Sequence, residues 1–175
     1  MTKYTVRRSG RPADAVIRRG GEEVATLRGE GNLLFRLESK ANESWVLDPR
    51  VHGEVRPFSM NVTAPGSKGE AILTIRNHVF FHGAKAFMLT SIPEDVHPAD
   101  HVFGKRHVNR LENFPFSRLE DIDLQTWGRL RMQRGISVGT FDGLGTDEFR
   151  VTISQELEDI GLQLAAASYL LYSTG

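Results

Sequence analysis

Along most of the chain, short apolar runs alternate with polar residues, and turn-forming residues separate the runs at fairly regular intervals. Ala15-Val16-Ile17 and Val24-Ala25-Thr26-Leu27 flank Gly20-Gly21, which predicts a hairpin. Further strands are expected at Leu33-Leu34-Phe35-Arg36-Leu37, at Ser44-Trp45-Val46-Leu47, over the run from Glu54 to Val62, at Ala71-Ile72-Leu73-Thr74-Ile75 and at Ala86-Phe87-Met88-Leu89. Pro57 has no N–H to give to a ladder, so its run is expected at an edge or a bulge. From Ile92 to Ser117 the rhythm breaks at Pro93, Pro98 and Pro115, which predicts an irregular excursion over the surface. Ser117 with Glu120 has the form of a capping box, so a short helix is expected over Ser117 to Asp123. Strand pattern resumes at Gly128 to Met132 and at Ile136 to Phe141, and Gly143 and Gly145 then turn the chain.

The end of the chain changes period. Phe149, Val151 and Ile153 alternate with Arg150 and Thr152 as in a half-buried strand, after which Gln155 to Tyr172 reads as a helix. Ser154 stands where a side-chain oxygen caps free helical amides, and Glu156, Glu158 and Asp159 crowd the first turn, where the helix dipole favours negative charge. From Ile160 to Tyr172 only Gln163 and Ser168 interrupt an apolar surface that runs all the way round, so this helix has no face fit for water. Its apolar run is about thirteen residues against the roughly twenty needed to span hydrocarbon, so a helix buried in the core is expected and no transmembrane segment. Many short strands closing on such a helix predict a mainly β protein: an antiparallel β-barrel enclosing a hydrophobic C-terminal α-helix, as one domain over residues 1–175.

Composition narrows the function classes. The 22 basic and 22 acidic residues cancel, so no global field draws the protein to nucleic acid, and no nucleic-acid partner is expected. With no cysteine, disulfides, thiolate nucleophiles and palmitoyl anchors are excluded. The residues after Met1 are polar rather than a signal-peptide core, which sets a cytoplasmic expectation, peripheral at the membrane where lipid is bound.

Two stretches carry a likeness to a known family. Phe149-Arg150-Val151-Thr152-Ile153 running on to Leu162-Gln163-Leu164-Ala165-Ala166-Ala167 resembles the last strand and core helix of the LURP-one-related proteins. Gly31-Asn32-Leu33-Leu34-Phe35-Arg36-Leu37 resembles their early strand. These proteins belong with tubby domains and phospholipid scramblases to the tubby C-terminal-like superfamily, and the resemblance implies a barrel around a hydrophobic helix and a non-enzymatic binding role. The scramblase cysteine-rich tract, proline-rich arm and calcium segment are absent, and so are the terminal signatures of true tubby domains, so their phosphoinositide site transfers to no residue here. Pro98-Ala99-Asp100, Gly104 and Leu111 to Ser117 also resemble the signature of the fumarase and aspartase superfamily, but over only about twenty residues and without the long helical bundle those enzymes require.

Candidate chemistry is sparse. Arg7, Arg8, Arg18 and Arg19 are the main members of a basic excess near the amino terminus, and they are the expected ligand-binding residues for an anionic lipid headgroup, with a protein partner as the other occupant. His82, His97, His101 and His107, with Asp95 and Asp100, would serve a small barrel enzyme such as a cyclase, isomerase or hydrolase; no catalytic residue follows from them. Pro98 pulls His97 away from helical geometry and no recognised ligand spacing is present, so no metal is expected. His78 and His82 are expected as exposed strand or hairpin residues. Gly143-Leu144-Gly145-Thr146 lacks the lysine of a phosphate loop, and no cofactor is expected. An assembly subunit without a small-molecule site is the remaining alternative.

Overall fold

The computed structural model describes residues 1–11, 14–56, 58–65, 70–91, 108–114, 137–142 and 148–172. Twelve antiparallel strands close into one barrel. In chain order the strands are β1 (Thr2–Arg8), β2 (Ala15–Arg19), β3 (Glu22–Gly31), β4 (Leu34–Ser39), β5 (Ser44–Asp48), β6 (Arg50–Val51), β7 (Glu54–Val55), β8 (Met60–Thr63), β9 (Ala71–Arg76), β10 (Val79–His82), β11 (Lys85–Ser91), β12 (Val108–Phe114), β13 (Ser137–Asp142) and β14 (Glu148–Ile153). β6 and β7 pair only with each other; the other twelve follow one another round the wall, and β1 closes it by pairing with β2 on one side and β14 on the other.

After β14 the chain turns inward. Gln155–Ile160 forms a 3-10 segment and Gly161–Tyr172 the helix α1, which runs up the barrel from the end where β14 finishes. We name that end basal and the opposite end apical. α1 is buried from Gln163 through Leu170, and it meets Tyr4, Val6, Leu37, Leu47, Leu73, Phe80, Phe141 and other inward side chains in one core. The alternation read from the sequence is the alternation of the wall: Phe149, Val151 and Ile153 are fully buried while Arg150 and Thr152 are not.

Several expectations are corrected. The apolar pattern places no strand before Ala15, yet Thr2–Arg8 is the closing strand, because Tyr4 and Val6 pair with Val151 and Phe149 of β14 and so need little apolar pattern of their own. Residues 108–114, expected within an irregular excursion, form β12 between β11 and β13, with Leu111 buried. The single run expected from Glu54 to Val62 is interrupted, Phe58 standing at φ 54° between β7 and β8. Ser154 makes no side-chain cap. Its backbone is extended, its N–H donates to Val138 O at 2.8 Å, its carbonyl accepts from Leu157 N–H at 3.1 Å, and its Oγ is buried without a partner. The run expected to be helical from Gln155 therefore starts as a 3-10 turn. The Gly20-Gly21 hairpin forms as expected, both glycines at positive φ. Pro57, the helix expected over Ser117 to Asp123, the strand over Gly128 to Met132, and Gly143 and Gly145 lie outside the described residues.

Polar side chains tie the β6–β7 hairpin to the apical end of the wall. Asp48 accepts from Arg50 Nε at 2.9 Å, from Nη2 at 3.0 Å and from its backbone N–H at 3.0 Å. Asn61 donates to Arg50 O at 3.3 Å and accepts from Arg76 Nη2 at 2.8 Å. The hydrogen bonds from Arg50 hold the Asp48 carboxyl below its ordinary range, while burial lowers Arg76 from its usual value.

Two predictions follow from the packing. At Gly161 a Cβ would meet Ile153 Cδ1 at 2.5 Å and Tyr4 Cε2 at 2.8 Å. Alanine improves helix propensity by about 1 kcal/mol, but overpacking costs about 1–3 kcal/mol, so Gly161→Ala is expected to lower stability in urea denaturation; a more stable variant would contradict this packing. For Asp48, a depressed carboxyl contributes stability above the unfolded value of about 4 and loses it as pH falls through the folded value. Asp48→Asn is therefore expected to destabilise at pH about 7 and to converge on the native protein in strong acid. A penalty that stays constant down to low pH would exclude the Asp48–Arg50 pair as its source.

Candidate functional site

α1 fills the lumen, so chemistry is left to the two rims and the outer wall. Period-two alternation decides which residues stand where. Tyr4 and Val6 of β1 and Ile17 of β2 face the core, so Lys3, Thr5, Arg7, Val16 and Arg18 face outward. On β14 the outward residues are Glu148, Arg150 and Thr152, level with Arg7, Thr5 and Lys3. The outer face of these three strands thus carries Lys3, Arg7, Arg18 and Arg150 against the carboxylate of Glu148. Glu148 lies 4.0 Å from Arg7 and 3.2 Å from Arg150, and Lys3 and Arg18 are exposed.

The four expected arginines are all exposed but do not share one position. Arg7 and Arg18 belong to the outer face. Arg8 pairs in register with Ala15 at the apical end and donates through Nε to Gly10 O at 3.1 Å. Arg19 pairs with Tyr4 at the basal end and borders a cleft there.

That cleft, of about 360 Å³, opens between the basal ends of β2 to β5 and the start of α1. Tyr4, Trp45, Leu162 and Gln163 line it with Arg19 and the β4–β5 turn. Gln163 is one of the two polar interruptions that the sequence shows in an otherwise apolar helix, and that was the only signal for it. Nothing in the sequence singled out Tyr4 or Trp45 for a site.

His82 and His78 depart from the expectation of exposed residues. His82 is half-buried, its Nδ1 2.8 Å from Ile72 O and its Nε2 3.1 Å from Asp159 Oδ2. With one ring nitrogen on the wall and the other on Asp159, His82 ties the 3-10 segment to the wall. His78 sits in the Asn77-His78 turn, both residues at positive φ, with Nδ1 3.0 Å from the Tyr172 hydroxyl. Phe58, His78 and Tyr172 stack at the apical rim, with Phe58 and His78 centroids 4.0 Å apart. Burial pushes the Tyr172 hydroxyl well above the ordinary phenol range, so it stays neutral.

His97, His101 and His107, with Asp95 and Asp100, lie outside the described residues. Among the described residues no three His, Asp or Glu side chains converge on a metal-sized site, and no helix is long and apolar enough to cross a membrane. Compared with models of known protein families, with curated proteins and with solved structures, the chain matches none.

Proposed function

We propose that this protein is a non-enzymatic binding barrel of the tubby-like type that docks on anionic lipid headgroups through the outer face of β14, β1 and β2. The observation that carries the reading is the register of the closing strand, which gathers Lys3, Arg7, Arg18 and Arg150 on the outer face of β14, β1 and β2, where Glu148 is the opposing carboxylate among the described residues; Asp142 of β13 and Glu23 of β3 stand level with Arg150 and Arg18 at its margins. A strand face presents these charges on a fixed, gently curved surface, the geometry suited to a plane of phosphates rather than to a single deep ligand. A filled lumen and a His82 ring engaged at both nitrogens favour binding over catalysis.

The experiment is cosedimentation of the full chain with phosphatidylcholine vesicles with and without phosphatidylserine, at low and at raised salt. Each basic side chain near such a surface contributes about 1 kcal/mol, roughly fivefold in affinity, so Lys3→Gln, Arg7→Gln and Arg18→Gln together are expected to abolish measurable binding. Salt should weaken binding of the native chain. Glu148→Gln should strengthen it by releasing Arg7 and Arg150, whereas Arg8→Gln and Arg19→Gln at the rims should change it little. Absence of binding to phosphatidylserine vesicles, or equal loss from all substitutions regardless of position, rules the reading out.

A further inference from the structure

We propose that the basal cleft binds a small zwitterion with an apolar body, of the size of a free amino acid. This site is separate from the lipid-facing wall and does not rest on that reading.

Two largely buried side chains present polar ends to the cleft that no group among the described residues engages. Gln163 is 6% exposed and Tyr4 5%, and neither the Gln163 amide nor the Tyr4 hydroxyl has a hydrogen-bond partner among the described residues, although both line the cleft. The bodies of both side chains are held by the core while their polar ends open to the cleft, which fixes where a ligand would meet them. Two such groups on the wall of one cleft are a preorganised pair of donors and acceptors.

The charges round the opening supply the rest. Lys40 is held by Glu23 at 3.2 Å, Asp159 by His82 at 3.1 Å, and Glu158 accepts from Thr2. Arg19 and the carboxylate of Glu43 line the same cleft, exposed and with no ion-pair or side-chain hydrogen-bond partner among the described residues. One free guanidinium and one free carboxylate match a ligand carrying one carboxylate and one ammonium; a guanidinium fork takes a carboxylate bidentately. A simple anion would meet Glu43, Glu158 and Asp159, and a simple cation would leave Arg19 unmatched. Between the polar groups, Trp45 and Leu162 are half-buried and offer an apolar wall for the body of the molecule. A cleft of about 360 Å³ lies at the lower end of the range for small-molecule sites, which sets the size class.

The test is calorimetric titration and ligand-observed NMR of the full chain with three probes that differ only in charge: L-phenylalanine, 3-phenylpropionate and phenethylamine. L-phenylalanine is expected to saturate the protein, and the two half-charged probes to bind about tenfold more weakly or not at all. Arg19→Gln should weaken L-phenylalanine by about tenfold without changing the melting temperature, since Arg19 is exposed. Gln163→Leu should abolish binding while the unliganded protein keeps a cooperative unfolding transition, because no group among the described residues hydrogen-bonds the amide it removes. Tyr4→Phe gives the same reading if Gln163→Leu does not fold. No saturation by any probe at about 10 mM overturns the proposal, as does equal binding of all three, or binding indifferent to Arg19→Gln and Tyr4→Phe. Vesicle binding through the outer wall can fail or succeed without moving any of these outcomes.

Discussion

The mutual enclosure of α1 and the barrel is the constraint on which everything else depends. A barrel of about eight strands can be filled by its own inward side chains; a twelve-stranded one leaves a wider lumen, and an α-helix about 10 Å across with its side chains is the filler that fits. The helix for its part is apolar on every side and has no stable place in water. Ala165, Ala166 and Ala167 are fully buried at its middle, so the larger side chains of the wall can reach in to meet it. Neither part is complete alone, which makes the closure of β1 on β14 and the burial of α1 one event rather than two. Closure also joins residues near one end of the chain to residues near the other, a contact of high sequence separation that only pays back its loop entropy once the core is filled.

Filling the lumen has a functional consequence. A barrel with a solid core has its wall and its two rims left for recognition. On the wall, strand alternation converts charge scattered along the sequence into a face, and closure brings Arg150 of β14 level with Thr5, between Arg7 and Lys3. At the basal rim the same closure sets Tyr4 against the first turn of α1, where Gly161 alone permits the approach. The tightness that makes Gly161 necessary is what seals Tyr4 and Gln163 into the wall of the cleft while leaving their polar ends open to it. At the apical rim the packing is different in kind: the Phe58, His78 and Tyr172 rings stack, and the Asp48, Arg50, Asn61 and Arg76 network satisfies its own polar groups. Among the described residues, the apical side chains named here engage one another, whereas Tyr4, Gln163, Arg19 and the Glu43 carboxylate at the basal cleft do not.

What the amino-acid sequence determined by itself was whatever local pattern encodes. Period-two alternation at Ala15 to Ile17, Val24 to Leu27 and Phe149 to Ile153 specifies half-buried strands, and an unbroken apolar circumference from Ile160 to Tyr172 specifies an enclosed helix, because each pattern has one low-energy way to hide from water. From these the barrel around a terminal helix follows. Where a strand owes its place to its partners, the pattern is thin. β1 buries only Tyr4 and Val6, and β12 carries the buried Glu112 beside Leu111, so neither shows the alternation that would reveal it. The direction of Arg18 and Arg19 was likewise undecidable from the chain, since a slip of one residue in register exchanges outward and inward sides; pairing with Thr5 and Tyr4 sends Arg18 to the wall and Arg19 to the cleft. The cleft itself exists only in three dimensions. Tyr4, Trp45 and Gln163 come from the beginning, the first third and the end of the chain, and they meet because closure places β1 beside β14 and folds α1 back through the ring.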